Sequence, residues 1–274
     1  MIDNVNKWIS VSETKKHEIG FNYEIYENIR IPKDKLDSLH SFIAKYILKN
    51  YISPKESDSI KMNPHIKDIS TYIKDVYIPS NTGNFGLKTG EFGEIISKLI
   101  FENKYEFIIY RFHYKEYKDE AVKIYDLVGF TIKDGVIIEV VLFEVKTQSD
   151  KLNEEIIVDA TNQITTNVVS RILKYMRYIE RILTKEDEFE LFKMIQDFHL
   201  INISTNNFTH KLNITLVCES SIYNENVLNN LNTISDKIDS NIFEISIILL
   251  NDIKALRDVC YLKSSECFEE VFGI

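Results

Sequence analysis

Two apolar segments separated by Asp134-Gly135 constrain the fold of this chain more than any other feature of its sequence. Residues 122–132 and 136–146 are rich in β-branched and aromatic side chains, which are typical of strands. Asp-Gly between two such segments favours a tight two-residue turn. The two segments are therefore predicted to be antiparallel neighbours in one sheet.

Three charged residues interrupt these otherwise apolar strands. Asp126 lies in the first strand, and Glu144 and Lys146 lie near the end of the second. Because Glu144 and Lys146 are two residues apart, their side chains point to the same face of the strand. Asp126 and Glu144 stand 8 and 9 residues from the two sides of the turn, so the hairpin places them almost opposite each other. The three charged side chains are predicted to meet at the end of the hairpin far from the turn.

Two carboxylates and an amine at one place suit the hydrolysis of a phosphodiester. Carboxylate oxygens bind hard cations such as Mg²⁺ or Mn²⁺, which polarise a phosphate and lower the pKa of a bound water. A lysine beside them positions that water or stabilises the developing charge. No His or Cys belongs to the cluster, which argues against zinc. The alternative is an ordinary salt bridge at a strand edge, worth about 0–1 kcal/mol. Burying charged side chains in apolar strands costs free energy, however, and this argues for a functional role.

The rest of the chain alternates predicted helices and strands. An amphipathic helix is expected over 91–103, followed by a strand at 105–112 and then the hairpin. A long helix is expected over 154–183. Further helices are predicted at 35–51, 67–77, 185–199, 226–238 and 251–262, and further strands at 19–31, 212–218 and 243–250. This order predicts an α/β core with a mixed sheet.

A turn-rich stretch, residues 79–90, divides the chain into two predicted parts because Gly, Asn and Pro are concentrated there. Residues 1–82 are expected to be a mostly helical N-terminal segment. Residues 83–274 are expected to be the α/β domain that carries the charged cluster.

The charged cluster resembles the active site of the PD-(D/E)xK nuclease superfamily. Asp126 matches the Asp of that motif, and Glu144-Val145-Lys146 matches its (D/E)xK. Glu94 matches the acidic residue that this superfamily carries on the first core helix, with Glu91, one helical turn away, as the alternative. The resemblance covers about residues 83–170. It implies a restriction-endonuclease-like core, a mixed central sheet flanked by helices, and a metal held by Asp126, Glu144 and Glu94.

Two positions depart from that superfamily pattern. Tyr125 stands where the motif has Pro. Gln163 lies 17 residues after Lys146 and resembles the Gln of RecB-like members, but the Tyr expected four residues later is Asn167. Gln163 is therefore carried over as a further candidate catalytic residue without its usual companion.

A narrower resemblance is to HamA, the nuclease subunit of Hachiman anti-phage defence systems. It rests on Gly93-Glu94-Ile-Ile, Asp126-Leu-Val-Gly and Phe-Glu144-Val-Lys146. HamA proteins place an additional segment before the nuclease core and work with a helicase partner, HamB, which restrains the nuclease and senses aberrant DNA. The resemblance implies a Mg²⁺- or Mn²⁺-dependent DNA endonuclease. A sequence-specific restriction endonuclease and a catalytically silent partner-binding module of the same fold are the alternatives.

The charge distribution bears on how the chain would bind nucleic acid. Its formal net charge is −9, which argues against tight binding by the chain alone because phosphate contacts require Lys and Arg. Residues 1–90 carry 13 basic against 11 acidic residues, whereas residues 201–274 carry 5 against 10. DNA is therefore expected at the first two-thirds of the chain, with help from a protein partner. Lys174, Arg177 and Arg181 share one face of the predicted long helix, as a phosphate-binding stripe or as an ordinary solvated face.

Location and redox state follow from what the sequence lacks. No window approaches about 18 uncharged apolar residues, and the N-terminus has no apolar signal core. The protein is expected in the cytoplasm, away from membranes. Cys218, Cys260 and Cys267 form no CxxC pair, so buried, reduced thiols are predicted.

Overall fold

The computed structural model describes residues 8–28, 33–79, 85–104, 108–110, 126–186, 189–205 and 209–273. Within these ranges, seven strands form one sheet. In chain order they are β1 (Ile9–Lys16), β2 (Asn22–Asn28), β3 (Ile108–Tyr110), β4 (Leu127–Lys133), β5 (Val136–Gln148), β6 (Thr209–Glu219) and β7 (Phe243–Leu250).

The sheet is mixed, with the spatial order β1-β2-β7-β6-β5-β4-β3. Strands β2, β7, β6 and β5 are mutually parallel, and β1, β4 and β3 pair in the antiparallel sense at the two sides. The central strands are almost continuously apolar, as expected for strands covered on both faces. Because β5, β6 and β7 are parallel, their carboxyl ends lie at the same edge of the sheet.

Helices cover both faces of the sheet. They are α1 (Leu36–Tyr51), α2 (Pro54–Met62), α3 (Ile69–Val76), α4 (Phe85–Lys104), α5 (Ile156–Ile164), α6 (Val168–Glu186), α7 (Phe189–Thr205), α8 (Asn226–Asn229), α9 (Ile253–Ser264) and α10 (Phe268–Phe272), with 3-10 turns at Lys33–Lys35 and Asn230–Lys237. One apolar core joins α5, α6 and α7 to one face of the sheet. A second core joins α1, α4 and α9 to the opposite face. The predicted α/β class with a mixed, helix-flanked sheet is confirmed.

The N-terminal residues contribute strands as well as helices. β2 pairs in parallel with β7, so this segment extends the same sheet that contains the hairpin. β1, an edge strand missed from the sequence, has a single buried residue, Ile9. The alternation of apolar residues stops after Ile9 and Val11, and the remaining residues of β1 are polar, so the sequence pattern indicates this strand only weakly.

Helix α4 begins earlier than predicted. The stretch 79–90 was expected to be a loop, but α4 already starts at Phe85 and contains Gly86 and Gly90. Buried Lys88 and Glu91, 5% and 3% exposed, anchor this first part of the helix. Tertiary packing here outweighs the low helix propensity of glycine.

The single long helix predicted over 154–183 is divided into α5 and α6. The turn between them contains Asn167, whose left-handed φ of 52° ends the helical path. Asn tolerates that conformation better than most residues because its short polar side chain bonds locally. The break changes the direction of the chain, and α6 packs beside α7 on the same core.

Some predicted elements fall partly or wholly outside the described residues. These are positions 29–31, 80–84, 105–107, 111–112, 122–125 and 187–188, together with the predicted boundary between residues 82 and 83. The three cysteines are free and buried, as predicted. Within the described ranges, no helix is long and apolar enough to cross a bilayer.

Candidate active site at the open end of the hairpin

The β4–β5 hairpin has the predicted antiparallel pairing. Its turn is Asp134-Gly135, both with positive φ, 52° and 76°, as a type I′ turn requires. The register shifts between Thr131 and Ile132, where Ile138 of β5 is left over as a bulge. Beyond this bulge, Leu127 is paired with Phe143. The extra residue compensates for the unequal arms of the hairpin and places Asp126 opposite Glu144.

Asp126 lies immediately before β4, at a bend, rather than within the strand as predicted. Its carboxylate accepts a hydrogen bond from the backbone N–H of Val145, Oδ2 to N 2.6 Å. This bond joins the residue that precedes β4 to Val145, which lies near the end of the neighbouring strand β5. It fixes the Asp126 side chain against the segment that carries Glu144 and Lys146.

Glu144 and Lys146 project from β5 to the same face. Glu144 is 7% exposed, and its Oε1 lies 2.7 Å from Nζ of Lys146. The same Nζ donates to Oε1 of Gln163 on α5 at 3.0 Å. The structure thus brings together Glu144, Lys146 and Gln163, three of the residues selected from the sequence.

Glu94 reaches the cluster from the opposite side, on α4. The helix approaches β5 closely at Gly93, where an added Cβ would lie 1.9 Å from Oγ1 of Thr147. Glu94, the next residue, is half-buried. A larger side chain at position 93 requires either the Thr147 side chain or α4 to shift, so this glycine permits the close approach of α4 to β5 next to Glu94.

Negative charge accumulates around Asp126. The pKa of its carboxyl is raised well above 3.8, first by burial and then by the charges of Glu94 and Glu144. The Val145 N–H and the Lys146 ammonium oppose this rise without cancelling it. Burial and like charge therefore make the ionised form of Asp126 less favourable than that of an ordinary aspartate, and a bound cation would relieve this cost.

Glu91, the alternative helix carboxylate, faces away from this cluster. It is 3% exposed, and Tyr51 donates a hydrogen bond to its Oε2 at 2.5 Å. The Tyr51 hydroxyl lies 3.1 Å from that of Tyr261 on α9, and Nζ of Lys88 lies 5.1 Å from the Tyr261 ring. Glu91 therefore belongs to a buried network between α1, α4 and α9.

Neither the close packing at Gly93 nor the hydrogen-bond partners of Glu91 was predicted from the sequence. Gly93 inside an amphipathic helix, directly before an acidic residue, was a usable signal for close packing of that helix. The partners of Glu91 come from α1 and α9, distant in the chain, so no local pattern reveals them.

The carboxylate oxygens at this site suit a hard cation, although they are not arranged around a single metal position. In the described part of the chain, no three His, Cys, Asp or Glu side chains stand close enough together to hold a metal ion. The ammonium of Lys146 lies on Glu144 instead. The oxygen-only chemistry of Asp126, Glu144 and Glu94 nevertheless matches Mg²⁺ or Mn²⁺, and the raised pKa of Asp126 marks a place where added positive charge is favourable.

Fold and site together define a mixed α/β protein with a carboxylate–lysine cluster near the carboxyl ends of its central parallel strands. A model of the HamA family matches residues 3–263, nearly the whole chain. The chain therefore belongs to the HamA family, which implies a subunit of a Hachiman defence system and confirms the narrower of the two resemblances. No curated protein sequence shows significant similarity to the chain.

Proposed function

We propose that this chain is a metal-dependent nuclease that hydrolyses DNA phosphodiester bonds as the effector of its defence system. The observation that carries the proposal is the convergence of Asp126, Glu144 and Lys146 at the open end of one hairpin. The Val145 N–H bond to Asp126 and the Lys146 contacts to Glu144 and Gln163 support it. The PD-(D/E)xK assignment of this core is part of the same proposal.

Each side chain has a role consistent with its surroundings. Asp126 and Glu144 would hold Mg²⁺ or Mn²⁺, with Glu94 adding a third carboxylate, directly or through a water. When bound, the metal would polarise the scissile phosphate and lower the pKa of the attacking water. Lys146 would orient that water or stabilise the charge that develops on phosphate.

Gln163 has a positioning role in this proposal. Its Oε1 accepts a hydrogen bond from Nζ of Lys146. An amide oxygen can hold the ammonium in place without neutralising it, whereas a carboxylate at this position would compete with phosphate for the lysine. Gln163 is exposed, so it also stands where substrate would approach.

A protein partner fits both the family and the charge. The net charge of −9 weakens attraction to DNA, and HamA membership supports a defence context in which a helicase restrains the nuclease and delivers its substrate. We therefore expect weak or unspecific cutting by the chain alone, and regulated cutting in the presence of the helicase.

The decisive test is cleavage of supercoiled plasmid with Mg²⁺ or Mn²⁺, against EDTA, by wild type and Lys146→Ala. Loss of a positioned cation at the reacting phosphate is expected to lower the rate by about 10²–10³-fold. Lys133→Ala is the matched control, because Lys133 is an exposed lysine at the turn end of the same hairpin. Full activity of both Lys146→Ala and Asp126→Ala, each folded, would overturn the assignment.

A catalytically silent binding module is the second candidate, and the contact between Lys146 and Glu144 favours it, because that pair is already satisfied without metal. Metal binding separates the two candidates. A nuclease should gain thermal stability on addition of Mn²⁺ or Mg²⁺, by an amount set by metal concentration over Kd, and lose that gain in Asp126→Asn. A silent module should show no metal-linked shift. Discrete bands from unmodified plasmid would instead indicate a sequence-specific restriction endonuclease.

A further inference from the structure

The solvent face of α6 carries a row of basic side chains. Lys174, Arg177 and Arg181 are all exposed and lie three and four residues apart, so they share one side of the helix. The opposite side is fully buried in the core through Ile172, Met176, Ile179 and Leu183. Glu180, the acidic residue in this stretch, turns to α7, where its Oε1 lies 3.0 Å from Nδ1 of His199.

This basic row begins next to the candidate active site. Arg171, at the start of α6, donates a hydrogen bond to the backbone oxygen of Gln163, and Gln163 in turn accepts from Lys146. Arg171 lies three residues before Lys174, which makes the two helical neighbours. Lys146 and Arg171 therefore share Gln163 as a neighbour, which places the start of the basic row beside the candidate active site.

The row also lies on the correct face of the sheet. Val140 and Leu142 of β5 belong to the same core as the buried side of α6. Glu144 and Lys146 continue that alternation, so their side chains emerge on the face that α6 covers. A polymer lying in the site can therefore continue along α6 without crossing an edge of the sheet.

The length of the row fits a nucleic-acid backbone. Ten residues of helix separate Arg171 from Arg181, about 15 Å at 1.5 Å per residue. One strand of duplex DNA places a phosphate about every 3.4 Å along its axis, so the row spans about four phosphates. On a chain of net charge −9, such a row provides local attraction that the protein as a whole does not.

We propose that the basic row of α6, formed by exposed Lys174, Arg177 and Arg181 with half-buried Arg171 at its start, binds the phosphate backbone of the DNA strand that enters or leaves the candidate active site. The surface positions DNA by charge and does not read its bases. This inference rests on the proposed nuclease function and extends it from the reacting phosphate to the flanking strand.

The test compares two triple neutralisations with the same change in net charge. The first is Lys174→Gln, Arg177→Gln and Arg181→Gln. The control is Lys16→Gln, Lys67→Gln and Lys74→Gln, three exposed lysines; Lys74 lies on α3, whose buried Ile73 packs in the core on the opposite face of the sheet. Binding of a labelled linear DNA duplex is measured by fluorescence anisotropy in EDTA at several salt concentrations, after circular dichroism has shown that each variant is folded.

The α6 triple variant is expected to bind at least about tenfold more weakly than wild type, with the slope of log K against log salt reduced by up to about 3. The loss should be the same for unrelated DNA sequences. The control triple should bind as wild type does. An equal loss in both triples, or no loss in the α6 triple, would overturn the inference.

The same samples separate this inference from the proposed function. If wild type and the α6 triple variant bind DNA equally well while wild type cuts plasmid with metal, the basic row does not bind DNA, but the nuclease assignment still holds. If wild type neither binds duplex DNA nor cuts plasmid with Mg²⁺ or Mn²⁺, the nuclease assignment and the basic row fall together.

Discussion

Helix α4 carries two acidic residues one turn apart whose surroundings differ completely. Glu91 is buried beside hydroxyl groups, with Tyr51 donating to it and Tyr261 next in line. Glu94 is half-buried beside the Asp126 carboxylate, whose pKa its negative charge helps to raise. The Glu91 carboxylate accepts a hydrogen bond from a tyrosine hydroxyl, whereas the Glu94 carboxylate lies near another carboxylate.

Comparing the two carboxylates distinguishes a buried charge that stabilises the fold from a buried charge that serves a functional site. A buried charge that is hydrogen-bonded contributes to a unique arrangement of helices. A group of like charges held together costs stability and persists only where it has a use. By this criterion the Glu91 network holds α4 between α1 and α9, and the Asp126 cluster is the candidate reactive centre of the proposed function.

The strongest test of this contrast is the pair Glu94→Gln and Glu91→Gln. Removing the Glu94 charge should lower metal-dependent plasmid cutting by about 10- to 100-fold, as for other residues that support a metal site, with no loss of thermal stability. Glu91→Gln should leave cutting within a few-fold of wild type. A reversed ranking would show that Glu91, and not Glu94, serves the site.

Gly93→Ala tests the close approach that brings Glu94 to the cluster. An added methyl group would meet Oγ1 of Thr147 at 1.9 Å, so the Thr147 side chain or α4 must shift, at a cost of about 1–3 kcal/mol in the free energy of unfolding. Cutting should fall as well, because a shift of α4 carries Glu94 with it. Both quantities are measured, by denaturant unfolding and by the plasmid assay.

Two further variants control this prediction. Gly90→Ala, in the same helix, meets nothing within 4 Å and should be neutral or stabilising by up to about 1 kcal/mol. Thr147→Ala removes the obstructing hydroxyl and should restore part of the stability of Gly93→Ala in the double variant. Equal effects of Gly90→Ala and Gly93→Ala would refute the packing argument.

A smaller effect is expected for Asp126→Asn without metal. The unfolded carboxyl ionises near pH 3.8, whereas the folded carboxyl retains its proton to higher pH. The folded state is therefore penalised as pH rises through this interval, and the amide removes the penalty. Asp126→Asn should melt above wild type at neutral pH in EDTA, by about 2–4 °C per kcal/mol regained, and the difference should vanish at acidic pH. A lower melting temperature for the variant in EDTA at neutral pH would mean that Asp126 stabilises the fold as an anion.

Local chemistry made part of the fold predictable. The Asp134-Gly135 turn and the apolar runs of β6 and β7 are encoded within a few residues and were found where expected. Helix α2 had an equally local signal that was overlooked, since Ser53 and Glu56 form a capping box around Pro54. The early start of α4 depends on the burial of Lys88 and Glu91 against distant elements, so the sequence alone does not show it.

Some features of the candidate site were likewise predictable from local sequence, and others were not. The proximity of Asp126, Glu144 and Lys146 followed from strand periodicity and hairpin geometry, and the structure brings them together. The Val145 N–H bond to Asp126 and the contact of Lys146 with Gln163 depend on exact register and on the course of α5. Roles in metal binding and catalysis stay predictions until the variants are measured.

The bulge at Ile138 has a consequence for how this protein can change over evolution. Asp126 and Glu144 both stand at the open end of the hairpin, so any residue gained or lost in one arm alone shifts one carboxylate past the other. Viable length changes between them must come in matched pairs, or be absorbed by a gain or loss of the bulge. Homologues with longer or shorter hairpins are therefore expected to conserve the alignment of the two carboxylates while varying the turn.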